Sequence, residues 1–400
     1  MSYSEKNRIL KKTKSLCPKC FIKINAQIVE KNNKVYMIKE CPKHGKFTGV
    51  VENDAEFYKR TMDIERKKSM VHSLFITINH NCNLNCNYCA LPEKNRENFS
   101  FEHLKKVISE SNCKEVRLTG GEPTLRDDVL DIICFIKKTK KLVTLVTNGL
   151  KLVDFDYVKR LKDAGLDRVC FSFNSFNDDV FKKLNNRKLL KIKLNALGNL
   201  KKLDIPTVVS IMIVKGINDR ELKKIFDYCV ENNSFIKELR IRSSAPFGKY
   251  IKSDTFFVSD MIIAFSKILD IEKKEFLKFI GKETSSCTFS IDMISYRQGN
   301  FIHPWMLFKK INYRNPINRV IVAFNLLKKF RFKQLFSLVY NELHGKNNLS
   351  LRLEFRSWPN KYNIDLKELS KCSTYYLSKS DGEIPCCYAG ILNNENIIEL

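Results

Sequence analysis

The chain has 400 residues, with 71 Lys plus Arg against 44 Asp plus Glu, a formal net charge of +27 and fourteen cysteines. A chain with 44% apolar and 11% aromatic residues, fourteen glycines and ten prolines is neither disordered nor fibrous, and its length buries a core without covalent staples. The cysteines are clustered in a long chain, unlike a small secreted disulfide scaffold, and no apolar run approaches the roughly eighteen residues that span a bilayer.

The opening MSYSEKNRILKKTKS is charged and predicts no signal peptide, so the thiols are expected to be reduced in a cytoplasmic setting and the clustered ones to bind metal. Cys17-Pro-Lys-Cys20, a strand-like KVYMIKE and Cys41-Pro-Lys-His44-Gly45 form two short knuckles, each turned by Pro or Gly. Their four soft ligands suit one tetrahedral ion, either zinc or a rubredoxin-like iron, with His44 the weakest member of the set. Residues 1–70 are read as a metal-knuckle domain and linker.

A strand, LFITI (74–78), then runs into Cys82-Asn-Leu-Asn-Cys86-Asn-Tyr88-Cys89. A structural zinc site is closed by four ligands and a cubane usually takes four thiolates. Three cysteines spaced C-x3-C-x2-C hold three irons of a [4Fe-4S] cluster and leave the fourth iron open to chelate a small molecule. With the aromatic Tyr88 before the last cysteine, the stretch resembles the cluster motif of the radical S-adenosylmethionine (SAM) superfamily.

Downstream, EVRL (115–118) ends in Gly120-Gly121-Glu122-Pro123, which resembles that superfamily's element for the amino group of SAM. Glycines let backbone carbonyls approach an ammonium, and Glu122 adds charge nearby. Taken alone, the run is also an ordinary turn. Further strands are LVTLVT (142–147), RVCFSF (168–173), TVVSIMIV (207–214) and ELRIR (238–242), separated by amphipathic helical stretches with Asp or Asn near their starts. Apolar strands with helical crossovers imply a parallel sheet, and six repeats predict an α/β fold, a partial (β/α)6 TIM-like barrel over residues 71–250. Working residues of such barrels lie at the strands' C-terminal ends. There the sequence places Thr147, Asn148, Ser172, Asn174 and Arg242, candidates with Tyr88 and residues 120–123 for holding SAM. Cys113, Cys134, Cys170 and Cys229 sit in apolar segments and are read as buried packing residues.

The N-terminal CPKC…CPKHG unit, the segment 180–222 and the closing RSSAPFGK resemble a narrower radical SAM family, which includes tetraether lipid synthases and dihydropterin-methylating enzymes. The resemblance covers roughly residues 15 to 250. It implies a mononuclear metal site, a SAM-binding cluster, further metal centres, and alkylation or joining of unactivated carbon. Where the family's strand would end Phe-Asp-Gly, this chain has Phe173-Asn174-Ser175.

The chain beyond 250 is read as a C-terminal extension. Residues 304–343 combine Phe, Leu, Ile and Val with Lys and Arg, the pattern of a basic amphipathic helix for an apolar substrate, an anionic membrane surface or a solvated lid. No nucleic-acid-binding module accompanies the charge, so no specific nucleic acid is expected. Cys287, Cys372, Cys386 and Cys387 supply enough thiolates for an auxiliary Fe–S cluster, the last three on a hairpin turned at Asp381-Gly382, although the adjacent pair is an awkward chelate.

The expectation is an enzyme in which a 5′-deoxyadenosyl radical from SAM abstracts hydrogen from an unactivated carbon of a lipid or other apolar substrate, with a ferredoxin or flavodoxin as electron donor. A pterin, peptide or RNA substrate is the second choice. Placement is cytoplasmic, with peripheral membrane attachment as the alternative. A zinc-stabilised, basic nucleic-acid-binding protein is the reading of another class, and the three-cysteine count at 82–89 opposes it.

Overall fold

A computed structural model describes residues 8–64, 72–91, 97–244, 249, 255–280, 284–298, 301–306, 350–377 and 382–393. The chain opens with an antiparallel meander, β1 (Arg8–Leu16), β2 (Lys23–Lys31), β3 (Lys34–Cys41) and β4 (Gly45–Glu52). Alternation in β2 and β3 turns Ala26, Ile28, Val35 and Met37 to one buried face, against Ala55 and Tyr58 of α1 (Ala55–Met62). Asn32 and Asn33, both at positive φ, make the two-residue turn between these strands, a conformation asparagine tolerates.

Six parallel strands follow: β5 (Ser73–Asn79), β6 (Glu115–Gly120), β7 (Leu142–Thr147), β8 (Arg168–Ser172), β9 (Thr207–Ile213) and β10 (Ile236–Ser243). All lie within two residues of the predicted spans, and they neighbour one another in chain order, as a partial (β/α)6 barrel requires. The crossovers carry α2 (Phe101–Glu110), α3 (Val129–Lys138), α4 (Phe155–Asp163), α5 (Asp178–Asn185), α6 (Leu190–Lys202) and α7 (Leu222–Glu231). Ser100, Asp154 and Asn177 cap three of them through side-chain oxygens. On α3 the inward face is Val129, Ile132, Ile133 and Ile136, so Cys134 points outward and is exposed. That corrects its reading as a buried packing residue; Cys113, Cys170 and Cys229 are buried.

After α8 (Val258–Leu269) and α9 (Lys273–Leu277), the C-terminal third extends the same sheet at both edges. On one side β11 (Thr288–Gln298) and β12 (Phe301–Met306) join through β13 (Ser350–Arg356), which runs parallel to β10. Following α10 (Leu366–Leu369), β14 (Thr374–Leu377) pairs parallel to β5 on the other side and antiparallel to β15 (Glu383–Pro385), and α11 (Cys386–Asn393) closes the described chain. The start of the segment read as a basic helix is thus strand at Pro304–Met306, because it pairs with Met293–Ser295; residues 307–343 of that reading lie outside the described residues, as does Asp381 of the predicted hairpin turn. No helix of the described residues is long and apolar enough to cross a membrane.

Candidate active site at the barrel mouth

The loop carrying Cys82, Cys86 and Cys89 leaves the C-terminal end of β5 and lies beside the tip of β6. Gly121 and Glu122 donate backbone N–H groups to the carbonyls of Asn79 and Asn81, at 2.7 and 2.8 Å. A Cβ at Gly120, where φ is +151°, would stand 2.0 Å from the Asn79 oxygen, and one at Gly121 would stand 2.4 Å from that of Asn81. The glycine pair therefore admits the backbone of the cysteine loop, in addition to the ligand approach read from the sequence.

Glu122, read from the sequence as a charge near SAM, has a defined set of partners. It is fully buried, and its carboxylate accepts from Thr124 N and Oγ1, Thr147 Oγ1 and Asn148 N at 2.7 to 3.1 Å. Four donors on one carboxylate lock the tips of β6 and β7 together. Pro123 begins a 3-10 turn that Glu122 caps.

The three thiols are each partly exposed. Leu84 N donates to Cys82 Sγ at 3.4 Å, Asn148 Nδ2 reaches the same sulfur at 3.8 Å, and Asn185 Nδ2 donates to Cys86 Sγ at 3.0 Å. Burial pushes the Cys82 and Cys86 thiols up, and the neighbouring cysteines add to it. The N–H donors aimed at the Cys82 and Cys86 sulfurs are ones that ligated thiolates would accept from, so the residues fit a cluster.

Tyr88 is fixed beneath them. Its hydroxyl accepts from Asn174 Nδ2 at 2.6 Å and Asn185 Nδ2 at 3.1 Å, and burial raises its pKa. Asn174 also accepts from Met212 N, which occupies its amide within the barrel wall. Ser172 ends β8 beside this network, and Arg242 stands near the end of β10 with Nε buried and no hydrogen-bond partner there.

Sequence reading missed Asn185 and the α5 terminus. Asn186, in left-handed conformation at the helix end, donates to Asn85 O, and Leu184 O accepts from Asn87 N. The end of α5 thus grips the cysteine loop. The paired asparagines after the Leu184 position were the available signal.

At the other end of the chain, Cys17, Cys20, Cys41 and His44 bring their ligand atoms within 4.8 Å of one another. The Cys17 and Cys41 sulfurs each lie 3.6 Å from His44 Nδ1. Burial opposes it, but N–H groups of Cys20 and Lys19 lower the Cys17 pKa. This soft set suits zinc or iron.

Among the described residues no other group of potential metal ligands is as tight. Cys287, Cys372, Cys386 and Cys387 instead line one cavity of about 1170 Å³, with Glu115, Arg117, Arg240, Glu354 and Arg356. The cavity reaches Ser73, Leu142, Arg168 and Lys237, at the N-terminal ends of the parallel strands, so it opens away from the cysteine loop. Its charges are paired: Arg117 with Glu115 at 2.8 Å, and Arg240 with Glu238 at 2.6 Å and Glu354 at 2.9 Å. Against the opposing effect of burial, Arg117 holds Glu115 down to about 2. Burial pushes the Cys386 thiol up to about 11 and raises Cys372 and Cys387 too.

A parallel partial barrel with three thiols after its first strand and a Gly-Gly-Glu tip on its second defines a class of cluster-binding α/β barrels. The family model described as the radical SAM superfamily matches residues 76–229, and an "HMPTM N-terminal zinc ribbon domain" matches residues 9–53. The chain is 31% identical over 274 residues to the 7,8-dihydro-6-hydroxymethylpterin dimethyltransferase of Methanocaldococcus jannaschii, covering 60% of this chain and 54% of that protein. It is 33% identical over 242 residues to the GTP 3′,8-cyclase of Aquifex aeolicus, covering 57% and 71%. A solved structure, Streptococcus suis SuiB bound to precursor peptide SuiA, aligns with a TM-score of 0.45 at 17% identity, over 54% of this chain and 48% of that one. The chain belongs to the radical SAM superfamily. It spans about half the length of the pterin dimethyltransferase it matches.

Proposed function

We propose that the protein is a radical SAM enzyme that alkylates, or forms a carbon–carbon bond on, a compact polar substrate, with a reduced pterin the first choice. The side chains of Cys82, Cys86 and Cys89 would hold three irons of a [4Fe-4S] cluster, and the tips of β6, β7 and β8 would bind SAM beside it. When bound, cluster and SAM together supply a 5′-deoxyadenosyl radical that takes hydrogen from an unactivated carbon. Glu122 keeps the β6 and β7 tips in register, Asn185 and Asn174 orient Tyr88, and the barrel wall excludes water.

The observation that carries the substrate class is the likeness to a pterin dimethyltransferase over 274 residues. The cavity of paired arginines and glutamates opens at the opposite strand ends from the cysteine loop and does not bear on this choice. A ferredoxin or flavodoxin is the proposed electron donor, an acidic partner for a chain of charge +27. The test is to incubate the reduced, reconstituted protein with SAM and either a 6-hydroxymethyl dihydropterin or an isoprenoid-chain phospholipid, and to follow both by mass spectrometry. A methylated or alkylated pterin supports the reading; consumption of the lipid alone refutes it.

A further inference from the structure

Lys193, on α6, is 1% exposed. Its ammonium donates to the carbonyl of Asn148 at 2.8 Å and to that of Ser172 at 2.6 Å, and it lies 5.2 Å from the centre of the Phe171 ring. It therefore joins the tips of β7 and β8, the two that follow the Gly-Gly-Glu strand around the mouth. The charges that favour its protonated form are those of Cys86, Glu122 and Cys82.

Arg117 and Arg240 of this barrel have carboxylates in contact, Glu115 for the first and Glu238 and Glu354 for the second. Lys193 has no carboxylate within ion-pair distance among the described residues, and burial lowers its pKa to about 8. An ammonium taken out of water with only carbonyl partners is costly unless a negative charge arrives. One other buried lysine fits the same description: Lys39, 2% exposed, donates to Ser15 Oγ and the Lys361 carbonyl and faces the thiol of Cys17 in the ribbon's four-ligand site. Both buried ammoniums without carboxylates stand behind thiolate sets.

We infer that Lys193 is a positioning residue of the SAM-cluster site: it fixes the β7 and β8 tips and supplies the positive charge that offsets a thiolate-ligated cluster on Cys82, Cys86 and Cys89. The inference rests on the radical SAM reading. A positive charge beside a cluster favours its reduced state, so removing that charge makes reduction harder.

The test compares the anaerobically reconstituted full chain with Lys193→Met, Lys193→Gln and Lys193→Arg. Readouts are far-UV circular dichroism, metal retained by the ribbon, iron content, and the midpoint potential of the cluster whose EPR signal changes on adding SAM. Expected are parental folding and ribbon metal in all three. The Met and Gln variants should lose iron at the SAM-responsive cluster or show a more negative midpoint, while the Arg variant stays near the parent. Met and Gln variants with a full cluster at the parental midpoint would overturn the inference, as would variants that lose fold and ribbon metal together, since Lys193 would then serve only the core. If the parent forms no SAM-responsive cluster, the functional reading falls and this inference with it.

Discussion

Asn185 shows how one amide can serve two groups of a site. Its Nδ2 donates both to Cys86 Sγ and to Tyr88 OH, while its Oδ1 is buried with no partner. A hydrogen bond to a thiolate is worth about 1.5–3 kcal/mol, so Asn185→Ala is expected to release cluster iron to a chelator roughly tenfold faster or more, with the ribbon metal unaffected. An unchanged release rate would show that the amide only packs. Gly121→Ala should act more severely, because its Cβ meets the Asn81 carbonyl at 2.4 Å and the cysteine loop must shift; the expected result is a folded chain that holds ribbon metal and little cluster iron. The thiols and glycines were legible in the sequence because one short motif contains them. What the glycines face was not, since Asn79 and Asn81 lie some forty positions upstream, and Lys193 and Asn185 reach the site from helices whose register no local pattern reveals.

At the scale of elements, the N-terminal meander is fastened to the segment 362–365 and to α8. Ser15 Oγ donates to Ile364 O, Thr13 Oγ1 to Asp365, and Asn363 Nδ2 to Val50 O, while Gly49 admits the backbone of Tyr362. These contacts hold the segment that leads through α10 to Cys372. Stripping the ribbon metal should therefore speed hydrogen exchange over 360–372 while β6 to β9 stay protected; equal exchange with and without metal would contradict the linkage. On the other side, Glu52 is fully buried and donated to by Ser259 of α8 at 2.6 Å, and burial pushes its pKa up to about 8. A carboxyl raised in the folded state stabilises the fold fully below its unfolded pKa, and that contribution is lost as pH rises through about 8. Glu52→Gln should therefore gain thermal stability relative to the parent between pH 5 and 8, by an amount on the order of 3 kcal/mol at the upper end. A constant gap in melting temperature across that range would refute the assignment. The six strands were legible from apolar runs; the docking was not, because it joins residues 207 to 352 positions apart.

For the molecule as a whole, ten of the fourteen thiols occupy three places: the ribbon, the barrel mouth, and the cavity that opens at the strands' N-terminal ends. A chain with Cys372, Cys386 and Cys387 all changed to Ala should bind less iron than the parent while keeping the SAM-responsive cluster; an unchanged iron count would remove the auxiliary group from the account. The sequence made the first two sites readable by spacing alone. The third depended on strands β13 and β14 joining opposite edges of one sheet, a non-local pairing that brings Cys287 and the hairpin cysteines to a common cavity. The same topology sets arginine and glutamate pairs along that cavity, which alternate residues of β6, β10 and β13 line. The central claim is that Cys82, Cys86 and Cys89 support reductive cleavage of SAM. It is tested most directly by chromatography of the anaerobically reconstituted protein after addition of dithionite and SAM: 5′-deoxyadenosine should form with the parent and not with Cys86→Ala, whereas its absence from a fully iron-loaded parent, or equal yield from the variant, would contradict the account.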